Sequence, residues 1–365
     1  MMTPRERILS VYRNDLPDRV PVGIYPRYLQ TGAAERRARS RGLGIIAAYP
    51  PVSLLAPPWH THSGFVSRVE NADLRVGIAW EGGERVESRT YETPVGVVTQ
   101  RIVKDPQYGS DWVKKHYVEK REDYGTLQYI VENTVFSRQE DAFTGHRETL
   151  GEDGVLLGRV DRCPFQKMLI ELAGPERFLV DLLTDPEPPL ELMEAMRRRL
   201  AEQFDMAVAS AAEAVWQPDN LTSDLTPPDL FTRHVLPYYA GRGALCREAG
   251  KPYVVHMDGK LKALGAQIAE SPFDVVESFS LPAMSGDLTI GEAAGMWPAK
   301  VLCPNFPTTL CHAGDAAART ALEEIWRSFG GDTPFMLQAS EDFPLASHER
   351  VLVMLCDFSE RHPYG

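Results

Sequence analysis

Residues 251–280, KPYVVHMDGKLKALGAQIAESPFDVVESFS, hold two short apolar runs with a helical pattern between them. We predict strands at 253–255 and 274–276, and a helix at 260–269, because the strand runs are rich in Val and the middle stretch has helical spacing. A strand–helix–strand order of this kind pairs its strands in parallel, since the helix carries the chain back to the same end of the sheet. The stretch therefore predicts a βα unit of an α/β fold.

The same alternation extends in both directions from this stretch. Further strands are predicted at 19–25, 44–55, 155–160, 214–216, 300–302 and 335–337. Eight strands with helical crossovers favour a (β/α)8 TIM barrel, with an N-terminal helical segment at 4–14. A doubly wound open sheet is the alternative, but no G-x-G-x-x-G motif follows any strand.

Residues 64–103 do not follow the alternation. Two β-like runs, 84–91 and 95–103, flank Thr93-Pro94, which is typical of a turn. We interpret 64–103 as an inserted β-hairpin within a single domain that spans residues 1–365.

Composition excludes several classes of protein. The chain of 365 residues has a net charge of −12, from 39 Lys and Arg against 51 Asp and Glu, which argues against a nucleic-acid-binding surface. Its five cysteines form no C-x-x-C pair, and their wide spacing indicates reduced thiols. No apolar window is long enough for a membrane span or a secretory signal, so we expect a cytoplasmic protein that does not contact membranes.

Polar side chains follow five of the predicted strands, and in a TIM barrel the C-terminal strand ends form the active face. We assign catalytic roles to Asp219, Glu277 and Asp342. We assign substrate binding to Tyr25, Arg27, Asn220 and Asn305.

His256 and Asp258 form an H-x-D pair at a strand end, and alternate residues of an extended segment face the same side. Imidazole and carboxylate donors suit zinc or another divalent metal. Glu341 is the first choice for a third ligand, followed by Glu277 and then Cys303. The alternative is a hydrogen-bonded His–Asp pair that positions a substrate without metal.

Several motifs resemble the uroporphyrinogen decarboxylase superfamily. They are Pro4-Arg-Glu-Arg-Ile-Leu9, Pro17-Asp-Arg-Val-Pro21, Leu172-Ala-Gly-Pro-Glu-Arg-Phe-Leu179, Leu236-Pro-Tyr-Tyr239 and Gly250-Lys-Pro252. The resemblance implies a TIM barrel and one of two chemistries. One is cofactor-free decarboxylation, whose R-Q-A-G-R motif has a counterpart here only at Arg27. The other is zinc-dependent methyl transfer with corrinoid proteins, whose zinc ligands are H-x-C and a later Cys.

This chain has His256-x-Asp258 and Ser340-Glu341 at the positions of those zinc ligands. Oxygen ligands make a harder ion that suits a substrate oxygen. We therefore expect a metal-dependent methyltransferase for a small oxygen-methylated substrate, with a corrinoid protein as partner and with relatives that imply a homodimer. The alternative is decarboxylation of a tetrapyrrole or other polycarboxylate. A third reading is a corrinoid-binding or small-molecule-binding protein without catalysis.

Overall fold

The computed structural model describes residues 1–49, 65–104, 111–138, 140–341 and 343–365. These residues fall into two compact units. The first comprises the described residues of 1–49, 140–159 and 207–365, and the second comprises the described residues of 50–139 and 160–206. The single domain expected over residues 1–365 stays a prediction.

The first unit contains eight parallel strands. They are β1 (Val22–Ile24), β2 (Gly44–Tyr49), β3 (Gly154–Arg159), β4 (Ala214–Gln217), β5 (Tyr253–His256), β6 (Val275–Phe279), β7 (Val301–Pro304) and β8 (Leu337–Ala339). The strand order is β7-β6-β5-β4-β3-β2-β1-β8. A parallel bridge from Asn305 to Gln338 joins the two ends of this order. The predicted (β/α)8 barrel is therefore confirmed.

Helices of the first unit precede and follow these strands. They are Pro4–Tyr12, Ala33–Ser40, Glu140–Leu150, Pro228–Leu230, Leu236–Glu248, Gly265–Glu270, Ile290–Met296, Asp315–Phe329 and His348–Arg361. The first helix begins where the sequence predicts, because Thr3 and Glu6 form a capping box: the Thr3 hydroxyl accepts from the Glu6 amide at 3.2 Å, and the Glu6 carboxylate accepts from the Thr3 amide at 2.7 Å. It ends at Tyr12, two residues before the predicted end.

A cluster of buried apolar residues of the first unit lies inside the barrel. Alternate residues of the strands point inward, because side chains alternate across a strand. The inward residues include Ile46, Val155, Leu157, Ala214, Val254, Val275, Val301 and Met336, and residues of the first helix pack in the same cluster. Apolar packing thus fills the lower layers of the barrel.

The second unit contains the predicted hairpin as part of a larger sheet. Strands Glu84–Thr93 and Gly96–Lys104 pair in antiparallel register, as expected for the two runs around Thr93-Pro94. Asp73–Glu81 and Asp111–Lys115 extend the sheet to four strands. The first residue of the predicted 64–103 insertion lies outside the described residues.

The second unit also has a two-stranded antiparallel pair, Phe65–Val69 with Thr134–Arg138. Its helices are Arg121–Glu132, Pro164–Lys167 and Pro175–Thr184, and Glu187–Ala209 runs from this unit into the first. In the described part of the chain, no helix combines the length and the apolar character that a membrane crossing requires.

Gly154 gives a test of the tight contact between β2 and β3. A Cβ at this position would lie 2.0 Å from the backbone oxygen of Ile45, which cannot yield as a side chain can. We expect Gly154→Ala to lower the free energy of unfolding by about 1–3 kcal/mol. The matched control is Gly125→Ala on an exposed helix face with open space around it, where Ala stabilises by about 0.5–1 kcal/mol. Urea unfolding measures both, and equal stability of the two variants would contradict the argument.

Candidate functional site at the C-terminal end of the barrel

The barrel interior changes from apolar to polar at the C-terminal strand ends. Val254 and Val275 belong to the core, and two residues further along the same strands His256 and Glu277 point to the same side. These two residues are direct partners in the β5–β6 register. A buried imidazole and a buried carboxylate are therefore adjacent at the face where TIM-barrel active sites lie.

Glu277 is the centre of this polar layer and has no solvent exposure. One carboxylate oxygen accepts from the Tyr25 hydroxyl and from the Gln338 amide. The other accepts from Trp216 Nε1 at 3.0 Å and lies 2.6 Å from His256 Nδ1. Burial raises the pKa of this carboxyl, but the charge of His256 and these hydrogen bonds outweigh burial and lower the pKa below its usual value. Glu277 is therefore an ionised, fully hydrogen-bonded acceptor.

His256 lies between two carboxylates. Its Nδ1 faces Glu277, and its Nε2 is 3.4 Å from Asp258 Oδ2. Burial opposes charging of the ring, but the two carboxylates together raise the pKa of His256 to about 10. The imidazole is therefore protonated on both nitrogens at neutral pH. We call Tyr25, Trp216, His256, Asp258 and Glu277 the imidazole cluster.

Asp258 is the more exposed of the two carboxylates around His256. Its side chain is 26% exposed, against 9% for His256, whereas Glu277 has no exposure. Asn220 holds it in place: the Asn220 amide donates to Asp258 Oδ2 at 2.7 Å, and the Asn220 backbone donates to the His256 carbonyl at 3.0 Å. Asn220 has a φ of 46°, a left-handed conformation that Asn tolerates better than most residues. The structure thus shows Asn220 as a positioning residue for Asp258, and its substrate role stays a prediction.

A bulge at the end of β6 carries a second group of polar side chains. The β6–β7 register shifts between Glu277 and Phe279, and Ser278 has a φ of 59°. The Ser278 hydroxyl lies 2.7 Å from that of Ser340, whose backbone amide donates to Asn305 Oδ1 at 3.1 Å. Asn305 is fully buried, and among the described residues its Nδ2 has no hydrogen-bond partner. Strained backbone and unmatched buried donors are features of binding sites.

The structure places the other predicted residues in different surroundings. Asp219 is fully buried, and its Oδ2 accepts from Gln217 at 2.7 Å and from the Tyr239 hydroxyl at 2.6 Å. Gln217 lies at the end of β4, and Tyr239 lies on the helix Leu236–Glu248 of the first unit. The catalytic role assigned to it stays a prediction.

Cys303 belongs to the barrel core, and burial followed by the charge of Glu277 raises the pKa of its thiol well above the usual value. Glu341 is half-buried after β8, and Asp342 lies outside the described residues. Arg27 is exposed, with its guanidinium 4.5 Å from the centre of the Tyr28 ring and donating to the Tyr28 hydroxyl. The roles assigned to these four residues stay predictions.

Three residues of this region were not selected from the sequence: Arg159, Trp216 and Gln338. Each lies two positions after a core residue on the same strand segment, namely Leu157, Ala214 and Met336 respectively, and therefore faces the same side. The period-2 alternation of each strand, continued by one step beyond its apolar residues, is the signal that would have found them.

Two side chains of this region, His256 and Asp258, are of the types that bind divalent metals. His256 Nε2 and Asp258 Oδ2 face each other, and Glu277 on the opposite ring nitrogen is the type of carboxylate that orients a metal-binding imidazole. A catalytic zinc takes three protein ligands. Within the residues that the structure describes, no group of three His, Cys, Asp or Glu side chains is arranged to hold an ion. The described residues thus offer two donors of a kind that binds zinc and no third, and the metal stays a prediction.

Without a metal, the cluster presents a charged proton donor at the barrel mouth. The imidazolium can donate a hydrogen bond from Nε2 and can deliver that proton to a substrate oxygen that gains negative charge. Glu277 fixes the ring orientation through Nδ1, and Asp258 faces the donating nitrogen.

Two comparisons with known proteins match this chain. The family model for Uroporphyrinogen decarboxylase (URO-D) matches residues 115–356. The fold is similar to that of a methyltransferase from Methanosarcina mazei, with a TM-score of 0.57 and 12% sequence identity over 98% of this chain and 99% of that chain. At this identity the likeness concerns the fold. No curated protein sequence matches the chain.

Proposed function

The chain belongs to the uroporphyrinogen decarboxylase family, and from this premise we propose that it is an enzyme that transfers a methyl group from a small oxygen-methylated substrate to a corrinoid on a partner protein. The observation that carries the proposal is the position of His256, whose two ring nitrogens face Glu277 and Asp258 at the C-terminal end of the barrel. The methyltransferase from Methanosarcina mazei supports it by a fold similar over the whole chain.

Methyl transfer from an ether or alcohol needs a proton on the oxygen. When the methyl carbon leaves, the C–O bond breaks and its electron pair stays on the oxygen, which takes up one proton to become a hydroxyl group. His256 can supply that proton from Nε2, since its ring is already charged at neutral pH. The negative charge of Glu277, 2.6 Å from Nδ1, balances the positive charge of the ring.

Asp258 has a different part in the proposed reaction. Its Oδ2 lies near Nε2 and is held by Asn220, so it can stabilise the charged ring and return a proton to it from solvent. Burial raises the pKa of Asp258, but the charge of His256 and the Asn220 hydrogen bond outweigh it and keep the pKa below the usual value. The carboxylate is therefore ionised at neutral pH.

Zinc and the corrinoid partner remain separate parts of the proposal. If zinc binds, His256 and Asp258 would be two of its ligands, and it would polarise the substrate oxygen as a Lewis acid. The corrinoid would accept the methyl group. Proton donation from His256 Nε2 belongs to the site without zinc, because a ring nitrogen bound to a metal ion carries no proton.

Decarboxylation of a polycarboxylate is not favoured by the site. Glu277 and Asp258 carry two negative charges and His256 one positive charge, so the imidazole cluster has a net charge of about −1. A substrate with several carboxylates would meet repulsion at this centre.

Incubation of the purified protein with reduced free cobalamin and a panel of methyl ethers tests the proposal. We expect the visible absorption of cobalamin to change to that of the methylated form with at least one ether, with the demethylated product found by chromatography. The same reaction after dialysis against EDTA, with and without added zinc, tests the metal. Methylation no faster than in the protein-free control for every ether would contradict the proposed function.

A further inference from the structure

Asp73–Glu81 lies at one edge of the four-stranded sheet in the second unit, and we call it the edge strand. Glu84–Thr93 pairs with one side of it, and no described strand pairs with the other side. The pairing with Glu84–Thr93 has no bulge along its whole length. The edge strand also has no Pro and no Lys, two of the devices that keep sheet edges from pairing with another chain. A long and regular edge of this kind is a surface on which a further strand can be added.

The turn after the edge strand determines which of its backbone groups point outward. Gly82 and Gly83 have φ values of 59° and 88°, as in a two-residue type I′ hairpin, and Glu81 is the register partner of Glu84. The pair that flanks such a turn is hydrogen-bonded, and bonded and non-bonded pairs then alternate along the two strands. Glu81 and every second residue before it therefore bond to the neighbouring strand, and the residues between them direct their N–H and C=O groups away from the sheet.

The residues with outward backbone groups also form an apolar row, which consists of Val76, Ile78 and Trp80. Their side chains share one face of the sheet because they alternate along the strand. Val76 is half-buried, whereas Ile78 is 57% exposed and Trp80 is 74% exposed. Exposed apolar and aromatic side chains grouped in this way are typical of protein–protein interfaces. The outward backbone groups and the apolar row thus lie along the same stretch of chain.

Charge favours a second copy of the edge strand as the partner, in one register. Two identical antiparallel strands are related by a twofold axis that passes through one residue position. With Gly77 at the axis, Asp73 would lie opposite Glu81 of the second copy, and the two carboxylates would repel. With Ile78 at the axis, Arg75 lies opposite Glu81 of the second copy, and symmetry makes this favourable pair occur twice.

The ion pairs within one chain agree with this register. Arg75 binds Glu92 at 2.8 Å, and Glu81 binds Arg101. Arg75 and Glu81 lie on the face opposite to the apolar row, because they occupy the alternate positions of the strand. Placing Arg75 beside Glu81 of the second copy would extend the two ion pairs to a row of four charges of alternating sign.

We propose that the edge strand pairs antiparallel with the edge strand of a second copy, with Ile78 at the twofold axis. The two four-stranded sheets then join into one sheet. Trp80 packs against Val76 of the second copy, and Ile78 packs against its own equivalent. Because the interface is only one strand wide, we expect a Kd of about 1–100 μM. This association does not depend on the proposed methyl transfer.

Sedimentation velocity of the full chain at about 1–100 μM tests the proposal. We expect the dimer fraction to rise with concentration, and Trp80→Lys to raise the Kd by about tenfold or more, because it replaces two apolar contacts by charges. The matched control is Trp112→Lys, at a tryptophan with 66% exposure on Asp111–Lys115 at the other edge of the sheet, which should leave the Kd within about twofold. A wild-type monomer at all concentrations, or equal effects of the two variants, would overturn the proposal.

Exchange of the two charges tests the register. Arg75→Glu and Glu81→Arg each place like charges opposite one another at two positions, so each should raise the Kd by about three- to thirtyfold. Both side chains are exposed, so these variants should fold. The double variant again has opposite charges across the axis, and its Kd should lie below that of either single variant. A double variant that dimerises no better than the single variants would overturn the proposed pairing.

Discussion

Glu277→Ala is expected to lower the free energy of unfolding by about 3–5 kcal/mol, the range for removing one partner of a buried ion pair. The change leaves the charged His256 ring without its closest carboxylate, at 2.6 Å. It also leaves buried donors of Tyr25, Trp216 and Gln338 without their acceptor. Each unmatched donor adds a desolvation cost of about 1–3 kcal/mol before the structure relaxes.

Urea unfolding measures this effect, with Glu270→Ala as the matched control. Glu270 is an exposed glutamate at the end of a helix, and its loss should change stability by less than about 0.5 kcal/mol. Glu277→Gln keeps the size of the side chain and one acceptor oxygen, so it should fold even if Glu277→Ala does not. In Glu277→Gln we expect the pKa of His256 to fall, as followed by NMR of the ring. A loss below about 1 kcal/mol in Glu277→Ala would show that Glu277 is not the centre of the buried layer.

His256→Gln is expected to reduce methyl transfer by about 100- to 10,000-fold, the usual contribution of a positioned proton donor. Gln retains a hydrogen-bond donor but has no proton to transfer. The control is His312→Gln, an exposed histidine on the short helix Thr308–His312, which should leave turnover within about twofold of wild type. Turnover of His256→Gln within tenfold of wild type would reject the role of proton donor.

The pH profile gives an independent check on His256. The carboxylates of Glu277 and Asp258 outweigh burial and raise its pKa to about 10, so wild-type turnover should fall as the pH rises through about 10. The raised pKa of His256 also makes the free energy of unfolding depend on pH. Because the pKa of His256 in the folded protein lies above the unfolded value of about 6.5, the stabilisation by the charged ring is complete below pH 6.5. It is lost as the pH rises toward 10. His256→Gln should lack both trends, and a parallel decline in the variant would contradict the assignment.

Sequence patterns were sufficient for the barrel because its elements are locally encoded. The helix at Pro4–Tyr12 depends on a capping box within four residues, and the strands β5 and β6 are short Val-rich runs between helical patterns. Sequence patterns predicted the ends of the elements less well. β6 runs three residues beyond its predicted end because pairing with β7 through the bulge extends it to Phe279.

The candidate site was predicted in part. His256, Asp258 and Glu277 were selected because they follow strands, and the structure brings all three together with Tyr25. Asp219 was selected by the same rule, its carboxylate accepts from Gln217 and Tyr239, and its catalytic role stays a prediction. Proximity to a strand end does not decide on which side of the strand a side chain lies.

By itself the sequence determined the α/β alternation, the barrel class and the strand ends that carry acidic and imidazole side chains, because these depend on spacing along a few residues. Only the tertiary structure decided which of these groups meet. The register of β5 on β6 sets His256 beside Glu277, and closure of the barrel brings Gln338 and Tyr25 onto the same carboxylate. The charge state of His256 follows from those contacts, since a pKa is set by burial and by the charges that surround a group in space.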